Sequence, residues 1–595
     1  MDAVGCYSYP VSTDTSGSFI DDECSICKED FHGRSVVPVV VKTKCGHRFD
    51  LDCISRWLGS GFGQGTCCIC RQAVLPLVRE AGACVYEDSP FCEALPLQAC
   101  RTGDVEKLTA LLRLDPSTAR KTFRSAVTGQ QVDLMIVAAQ NNNAACLQAL
   151  MAAGADPSTV RSADGATPLL IAAQNNNTAC LQALLDAGAD LNATLASGVT
   201  PLFIAACHNS TACLRLLIAA GAKLNATQGP EGATPLYIAA QNNSIACLQA
   251  LITAGAKLNA ALNTGVTPLF IAAQKNHIAC LQALITAGAE LDVARTSDGI
   301  TPLLIAAQQN SVACLRALIA AGAKLNAAMT SGATALFTAA QNNYIACLQA
   351  LISAGADLNA ARTSNNTTPL FIAAENNHIS CLQALILAGA DLNAARTSGA
   401  TPLFIAVQKN NITCLQALIT AGADFNAALN SGSTPLFIAA QDNHLACLRA
   451  LITAGAKLNT GRNLDGATPV YIAAQHNNIN CLLVLLIAGA DPNIACTDDG
   501  ATPLYVAVQN NNIACLQALI SAGADPNVAC TDDGSTPLMV AAETNHIDCL
   551  QALIAAGADL NARTTDGATA LSIAAGSNNI VCLQALGAAL ARKED

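Results

Sequence analysis

Apolar and polar positions repeat along this chain with a period of 33 or 34 residues, from about residue 133 onward. A Thr-Pro-Leu-like element recurs once per period, starting at Thr167, Thr200, Thr234, Thr267, Thr301, Thr334, Thr368, Thr401, Thr434, Thr468, Thr502, Thr536 and Thr569. A short apolar run follows each element, then a few polar residues, a second apolar run and a glycine. This order predicts a turn, a short helix, a loop and a second helix in every unit.

The unit at residues 197–226 illustrates the local signals. Thr200 can cap the first helix, and Pro201 suits its first position, where a missing amide hydrogen costs nothing. Gly221 is the expected left-handed stop of the second helix. One face of that helix is apolar, with Cys213, Leu214, Leu217 and Ile218. Neither helix can bury its apolar face alone, so we expect successive units to stack.

The repeated unit resembles the ankyrin repeat, which has a period of 33 residues and a T-P-L-H-x-A signature. Besides the thirteen Thr-Pro-Leu-like units, a degenerate unit lies around residues 133–153 and a cap starts at Leu95. The resemblance implies a mostly α fold, an ankyrin-repeat α-solenoid of about 15 helix-turn-helix units with hairpin loops over residues 94–595.

The histidine of that signature is replaced in every unit, so a hydrogen bond typical of the family is missing. The replacing residues are Leu170, Phe203, Tyr237, Phe270, Leu304, Phe337, Phe371, Phe404, Phe437, Tyr471, Tyr505, Met539 and Ser572. The aromatic ones form a row along the first helices. Either each ring packs against its neighbours, which we expect, or the row is an exposed strip that docks an extended peptide.

The chain has 28 cysteines, and most of those in the repeats share one position in the second helix. That position is occupied by Cys146, Cys180, Cys213, Cys247, Cys280, Cys314, Cys347, Cys381, Cys414, Cys447, Cys481, Cys515, Cys549 and Cys582. Neighbouring copies would lie roughly 8 to 10 Å apart, too far for a disulfide. We therefore expect free, buried thiols and a reducing, intracellular environment, most simply the cytoplasm.

Composition excludes several classes of function. The net charge is −12, and no run of Lys or Arg is present to neutralise phosphates, so we expect no nucleic-acid partner. The longest apolar stretch is about ten residues, half of what a membrane-spanning helix needs. No phosphate-binding glycine loop precedes a helix. Six of the eight histidines fall at loops between helices, where we expect surface polar residues: His208, His277, His378, His444, His476 and His546.

The segment before the repeats has a different cysteine pattern. Its potential ligands come in four closely spaced pairs: Cys24 and Cys27, Cys45 and His47, Asp50 and Cys53, and Cys67 and Cys70. Thiolate and imidazole are the ligands that tetrahedral zinc prefers, and eight ligands make two sites. The alternative is a group of reduced cysteines whose spacing is accidental. Asp50 could instead be a solvated acid that does not bind zinc and lies beside an ion with three ligands.

This segment resembles the RING finger, in which the first and third ligand pairs bind one zinc ion and the other two pairs bind the second. The resemblance implies a first site of Cys24, Cys27, Asp50 and Cys53, and a second of Cys45, His47, Cys67 and Cys70. Both sites are fully ligated, so zinc would be structural. The resulting organisation is a disordered segment 1–20, a zinc finger at 21–75 and a linker at 76–93.

The family recruits a ubiquitin-conjugating enzyme that carries thioester-linked ubiquitin, and the resemblance assigns this contact to Ile26, Trp57 and Arg71. Trp57 could instead be plain packing, and Arg71 a solvated surface residue. Cys68 departs from the family, which usually has proline there. The implied function is a RING-type E3 ubiquitin ligase with no covalent catalytic residue, whose repeats bind a substrate protein through residues that the sequence does not identify. The alternative is an adaptor whose zinc domain is only structural.

Overall fold

A computed structural model describes residues 90–124, 131–161 and 164–594, together with three short strands nearer the amino terminus. The chain divides into two compact units, residues 1–256 and 257–595. The segment predicted to be disordered, 1–20, lies outside the described residues. No described helix has both the length and the apolar character that crossing a bilayer requires.

The three strands form one small antiparallel sheet. They are β1 (Val40–Lys42), β2 (Arg48–Asp50) and β3 (Val78–Arg79), and β1 lies in the centre. Val40 pairs with Asp50, and Lys42 pairs with Val78. Two described elements therefore fall in the segment predicted as a linker, 76–93: β3, which is held by backbone hydrogen bonds, and the start of the first helix at Pro90.

The first unit contains five helix pairs among its described residues. Their bounds are Pro90–Thr102 and Val105–Leu114, Leu134–Gln140 and Ala144–Ala152, Pro168–Gln174 and Thr178–Asp186, Pro201–Cys207 and Thr211–Ala219, and Pro235–Gln241 and Ile245–Thr253. A 3-10 helix, Pro116–Arg120, and a hairpin of β4 (Thr122–Arg124) and β5 (Gln131–Asp133) separate the second pair from the first.

The second unit contains ten helix pairs among its described residues. They are Pro268–Gln274 and Ile278–Thr286, Pro302–Gln308 and Val312–Ala320, Ala335–Gln341 and Ile345–Ser353, Pro369–Glu375 and Ile379–Leu387, Pro402–Gln408 and Ile412–Thr420, Pro435–Gln441 and Leu445–Thr453, Pro469–Gln475 and Ile479–Ile487, Pro503–Gln509 and Ile513–Ser521, Pro537–Glu543 and Ile547–Ala555, and Ala570–Gly576 and Ile580–Glu594. The two units together give fifteen pairs, which confirms the predicted fold.

The local signals read from the sequence act as expected. The Thr200 hydroxyl accepts a hydrogen bond from the Phe203 amide at 3.3 Å, and Pro201 opens the helix. Asn209, in the loop between the two helices, has a φ of 57°, a left-handed conformation that asparagine tolerates better than most residues. Gly221 ends the second helix with a φ of 89°. The adjacent amide of Ala222 then donates back to Leu217 O at 3.0 Å, which satisfies a carbonyl at the helix end.

In several repeats the residue just before the second helix contacts the preceding repeat. Asn411 donates from Nδ2 to Ala374 O at 2.8 Å, and His378 Nδ1 lies 3.0 Å from Ala340 O. These carbonyls are at the end of the preceding repeat's first helix, where intrahelical partners are missing. His444 and His546 make the same contact. The prediction that these three histidines are merely surface polar residues is wrong, because the loop turns each half-buried ring toward the preceding repeat.

Candidate functional site

The aromatic row lies in the core of the repeats. Five phenylalanines at this position are at most 1% exposed: Phe270, Phe337, Phe371, Phe404 and Phe437. Tyr237 and Tyr471 are also buried, at 7% and 9%, whereas Phe203 and Tyr505 are half-buried. The packing interpretation is confirmed, and the row is not an exposed strip. A partner protein must therefore contact other residues.

One position of the hairpin recurs in each repeat, and in four repeats of the second unit its residue lies over a buried ring. We call the residue at this position the lid residue. Its backbone amide donates a hydrogen bond across the hairpin that precedes the Thr-Pro-Leu element, as Arg295 N–H does to Ile300 O at 2.8 Å. Four lid residues of the second unit are arginines whose guanidinium carbons lie over the ring of the preceding repeat. Their distances to the ring centres are 5.6 Å for Arg295 and Phe270, 5.6 Å for Arg362 and Phe337, 3.8 Å for Arg396 and Phe371, and 5.2 Å for Arg462 and Phe437.

Three of these lid arginines have a carboxylate of the chain as partner. Arg295 Nε donates to Asp298 Oδ1, and Arg462 Nε to Asp465 Oδ1, both at 3.0 Å, and a second bond from Nη2 makes each pair bidentate. These hydrogen bonds hold the pKa of Asp298 and Asp465 below the ordinary range. Arg396 is bound instead by Glu375 at 2.8 Å, from the helix end of the preceding repeat. None of these pairs was predicted, although in the Arg295 and Arg462 hairpins an aspartate three residues after the arginine is visible in the sequence.

The repeated cysteines are buried free thiols, as predicted for all fourteen, and each described copy is 0% exposed. The sequence did not reveal their partner. In most repeats the thiol lies near the side-chain oxygen of the left-handed asparagine in the preceding loop, as Cys414 Sγ does at 3.4 Å from Asn377 Oδ1. Burial raises the pKa of the Cys414 thiol to about 11, so it stays protonated and donates. These cysteines are structural residues with little nucleophilic character.

Most of the predicted zinc ligands and enzyme-contact residues lie outside the described residues: Cys24, Ile26, Cys27, Cys45, His47, Cys53, Trp57, Cys67, Cys70 and Arg71. Asp50 is an exception, because its backbone is described and forms the last position of β2. Cys45 and His47 belong to the segment that joins the paired strands β1 and β2. The donor set itself, thiolates with one imidazole and one carboxylate, suits tetrahedral zinc.

A second group of potential metal ligands lies in a hairpin of the second unit. Ligand atoms of Cys496, Asp498 and Asp499 are within 4.8 Å of one another. Burial raises the pKa of the Cys496 thiol to about 12, and Tyr471 shares a hydrogen bond with it. Each carboxylate also accepts a backbone amide: Asp499 N–H donates to Asp498 Oδ1 and Ala501 N–H to Asp499 Oδ1. These contacts satisfy the hairpin itself, and we assign it no metal.

Comparison with known families gives two matches. The family model for ankyrin repeats (3 copies) matches residues 134–228, 225–295, 292–362, 361–428, 410–496, 462–530 and 504–593. The model for the RING-type zinc-finger matches residues 24–68, which includes Cys67 and ends before Cys70 and Arg71. No curated protein matches the chain.

Two solved structures are similar to parts of the chain. The human ASB11 ankyrin repeat domain is 29% identical, and the match covers 38% of this chain and 98% of that one with a TM-score of 0.34. The ankyrin repeat domain of Bcl-3, described as a unique member of the IkappaB protein family, is 30% identical. That match covers 37% of this chain and 99% of the Bcl-3 domain, with a TM-score of 0.35.

Proposed function

Because this chain belongs to the ankyrin-repeat family and also carries a RING-type zinc finger, we propose that it is a RING-type E3 ubiquitin ligase. Its zinc finger recruits a ubiquitin-conjugating enzyme with thioester-linked ubiquitin, and its repeats bind the substrate protein whose lysine is modified. The observation that carries the proposal is the fusion of the zinc finger at residues 24–68 to a long stack of repeats of a protein-binding type.

The zinc finger works by recruitment in this proposal. Zinc, when bound, supplies the folding energy of the domain through two four-ligand sites: Cys24, Cys27, Asp50 and Cys53, and Cys45, His47, Cys67 and Cys70. Ile26 and Trp57 dock the conjugating enzyme as an apolar pair, because buried aromatic anchors dominate such contacts. Arg71 bridges the enzyme and ubiquitin, since its planar fork offers several donors at once.

The chemistry of the repeats agrees with a role in binding. A ligase that carried ubiquitin on its own thiol would need a cysteine that is exposed and easily ionised. The repeated cysteines have the opposite properties, because they are buried and burial raises the pKa of each of Cys381, Cys414 and Cys447 to about 11. Ubiquitin would then pass directly from the conjugating enzyme to the substrate lysine. The free thiols also support our proposal that the chain works in the reducing cytoplasm.

Ubiquitin chain formation tests the ligase role. The purified zinc-loaded chain is incubated with activating enzyme, ubiquitin and a panel of conjugating enzymes, and chains are read on a gel. We expect chains with at least one enzyme, and their loss in Trp57→Ala or Ile26→Ala with zinc content unchanged. Arg71→Ala should slow ubiquitin discharge while enzyme docking persists. Equal loss of docking in all three variants would contradict the separate roles.

Two departures from the family favour the second candidate, an adaptor with a structural zinc domain. Asp50 occupies a position usually held by His or Cys, and Cys68 replaces the usual proline. Both could weaken recruitment of a conjugating enzyme. The same assay decides, because a zinc-loaded chain that forms no ubiquitin chains with any conjugating enzyme is an adaptor.

A further inference from the structure

We propose that Arg362 binds an aspartate or glutamate carboxylate of an extended segment of the partner protein. This inference rests on the proposed role of the repeats in substrate binding and names one feature that the substrate offers. The four lid arginines of the second unit share a position over a buried phenylalanine, but they differ in the group that neutralises their charge.

Two kinds of carboxylate neutralise the other lid arginines. The first lies three residues further along the same hairpin, as Asp298 does for Arg295 and Asp465 for Arg462. The second lies at the end of the preceding first helix, 21 residues earlier, as Glu375 does for Arg396. Each pair is largely shielded, with side-chain exposures between 20% and 34%.

Both of these positions are neutral around Arg362. Asn365 occupies the hairpin position three residues on, and Gln341 occupies the helix end 21 residues back. The hairpin is the same, because Arg362 N–H bonds Thr367 O at 2.9 Å as Arg295 N–H bonds Ile300 O at 2.8 Å. The Asn365 side-chain oxygen accepts from the Thr367 hydroxyl at 2.7 Å. Arg362 thus has the lid geometry without the lid carboxylate.

The Arg362 guanidinium is incompletely satisfied as a result. Its Nε is buried and lacks a hydrogen-bond partner among the described residues, whereas Nε of Arg295 and of Arg462 donates to aspartate. The whole side chain is half-buried, so its terminal nitrogens remain within reach of a ligand. An unpartnered buried donor is rare in folded proteins, and here it marks a guanidinium that has no internal carboxylate to neutralise it. An external acceptor can supply that carboxylate to the terminal nitrogens.

Charge and geometry select a carboxylate as that acceptor. The Arg362 ring contact fixes the guanidinium on the Phe337 face, 5.6 Å from the ring centre, so little entropy is lost when it binds a ligand. The other three lid arginines all hold carboxylates, which shows that the position accepts this group. Charge-assisted bonds between arginine and carboxylate are also about twice as strong as neutral ones. Because the chain presents these hairpins one per repeat, an extended peptide can follow them.

Peptide selection on the full zinc-loaded chain tests the proposal. A phage-displayed library of random 12-residue peptides is panned on wild type, and the enriched peptides are synthesised with a fluorescent label for anisotropy measurements. We expect an acid at one fixed position, and roughly tenfold weaker binding when that acid is changed to its amide. Enriched peptides without a shared acid would overturn the proposal.

Matched variants test whether the acid of the peptide binds Arg362. Asn365→Asp supplies an internal carboxylate at the place of Asp298, so it should keep the fold and weaken the peptide about tenfold. Arg362→Leu should do the same, whereas Arg462→Leu removes an already paired lid arginine and should leave the affinity unchanged. Unchanged affinity in Asn365→Asp, with helical content intact, would refute the assignment. Chain formation by wild type without substrate is measured separately, so failure of the ligase proposal is distinguishable from failure of this one.

Discussion

Replacing Phe371 by alanine should destabilise its repeat strongly, because the ring is 0% exposed within a row of buried aromatic residues. Phenylalanine-to-alanine changes in cores cost about 3 to 5 kcal/mol through lost burial and the cavity that remains. The Arg396 guanidinium carbon lies 3.8 Å from the ring centre, and losing this contact adds about 0.5 to 1 kcal/mol. We therefore expect a loss of about 3.5 to 6 kcal/mol.

Hydrogen exchange is the suitable assay, because long repeat arrays need not unfold as a single two-state unit. Exchange of the amides in Pro369–Glu375 and Ile379–Leu387 reports the local free energy of opening. Phe203→Ala is the matched control, since Phe203 has the same position in its own repeat but is half-buried. It should cost roughly half as much. Equal costs for the two variants, or less than about 1 kcal/mol for Phe371→Ala, would refute the packing argument.

Three further predictions concern the loops, the thiols and zinc. Asn377 has a φ of 58°, and its Oδ1 accepts hydrogen bonds from Cys414 Sγ and from the Thr413 hydroxyl. Asn377→Ala should lose both bonds and also cost about 1 to 2 kcal/mol for a side chain in the left-handed region, whereas Asn377→Gly should lose only the bonds; equal urea midpoints would contradict this. Burial raises the pKa of the Cys381, Cys414 and Cys447 thiols from 9.0 to about 11, so their stabilising contribution is complete below pH 9 and is lost as pH rises through about 11; helical circular dichroism that survives full thiol ionisation would disprove it. Metal analysis should give two zinc ions per chain, and a ratio near one zinc ion per chain would mean that Asp50 is not a ligand. Removal of zinc by a chelator should leave the helical signal of the repeats unchanged.

The repeats could be predicted from sequence because their signals are local. Thr200 and Pro201 start a helix, and Gly221 ends one, through contacts within a few residues of each. Burial of the aromatic row followed from periodicity, since an apolar residue at one position of every unit needs neighbouring units to cover it. The zinc ligands could likewise be proposed because ligand spacing within C-x2-C pairs is itself local.

The contacts between repeats could not be predicted, because they join residues about 20 to 40 positions apart. Cys414 bonds Asn377 and His378 bonds Ala340 O, and both contacts depend on how one loop lies on the preceding helix pair. The Arg396 pair with Glu375 is similar, since nothing nearby in sequence marks it. Stacking geometry, which the sequence pattern does not contain, decides which of many polar groups meet.

The nearly identical units raise the question of how a partner could tell one from another. Their rings, thiols and loop asparagines are alike and are buried or bonded to neighbouring repeats. The lid position differs, with Met329, Arg362, Arg396, Leu429 and Cys496 among its occupants. Since a ligand binds only groups that it can reach and that are not already paired, sequence-specific recognition along the repeats should depend on the lid residues that have no internal carboxylate partner, as is the case for Arg362. A partner carboxylate therefore finds the guanidinium groups of Arg295, Arg396 and Arg462 already neutralised, and it is attracted at Arg362.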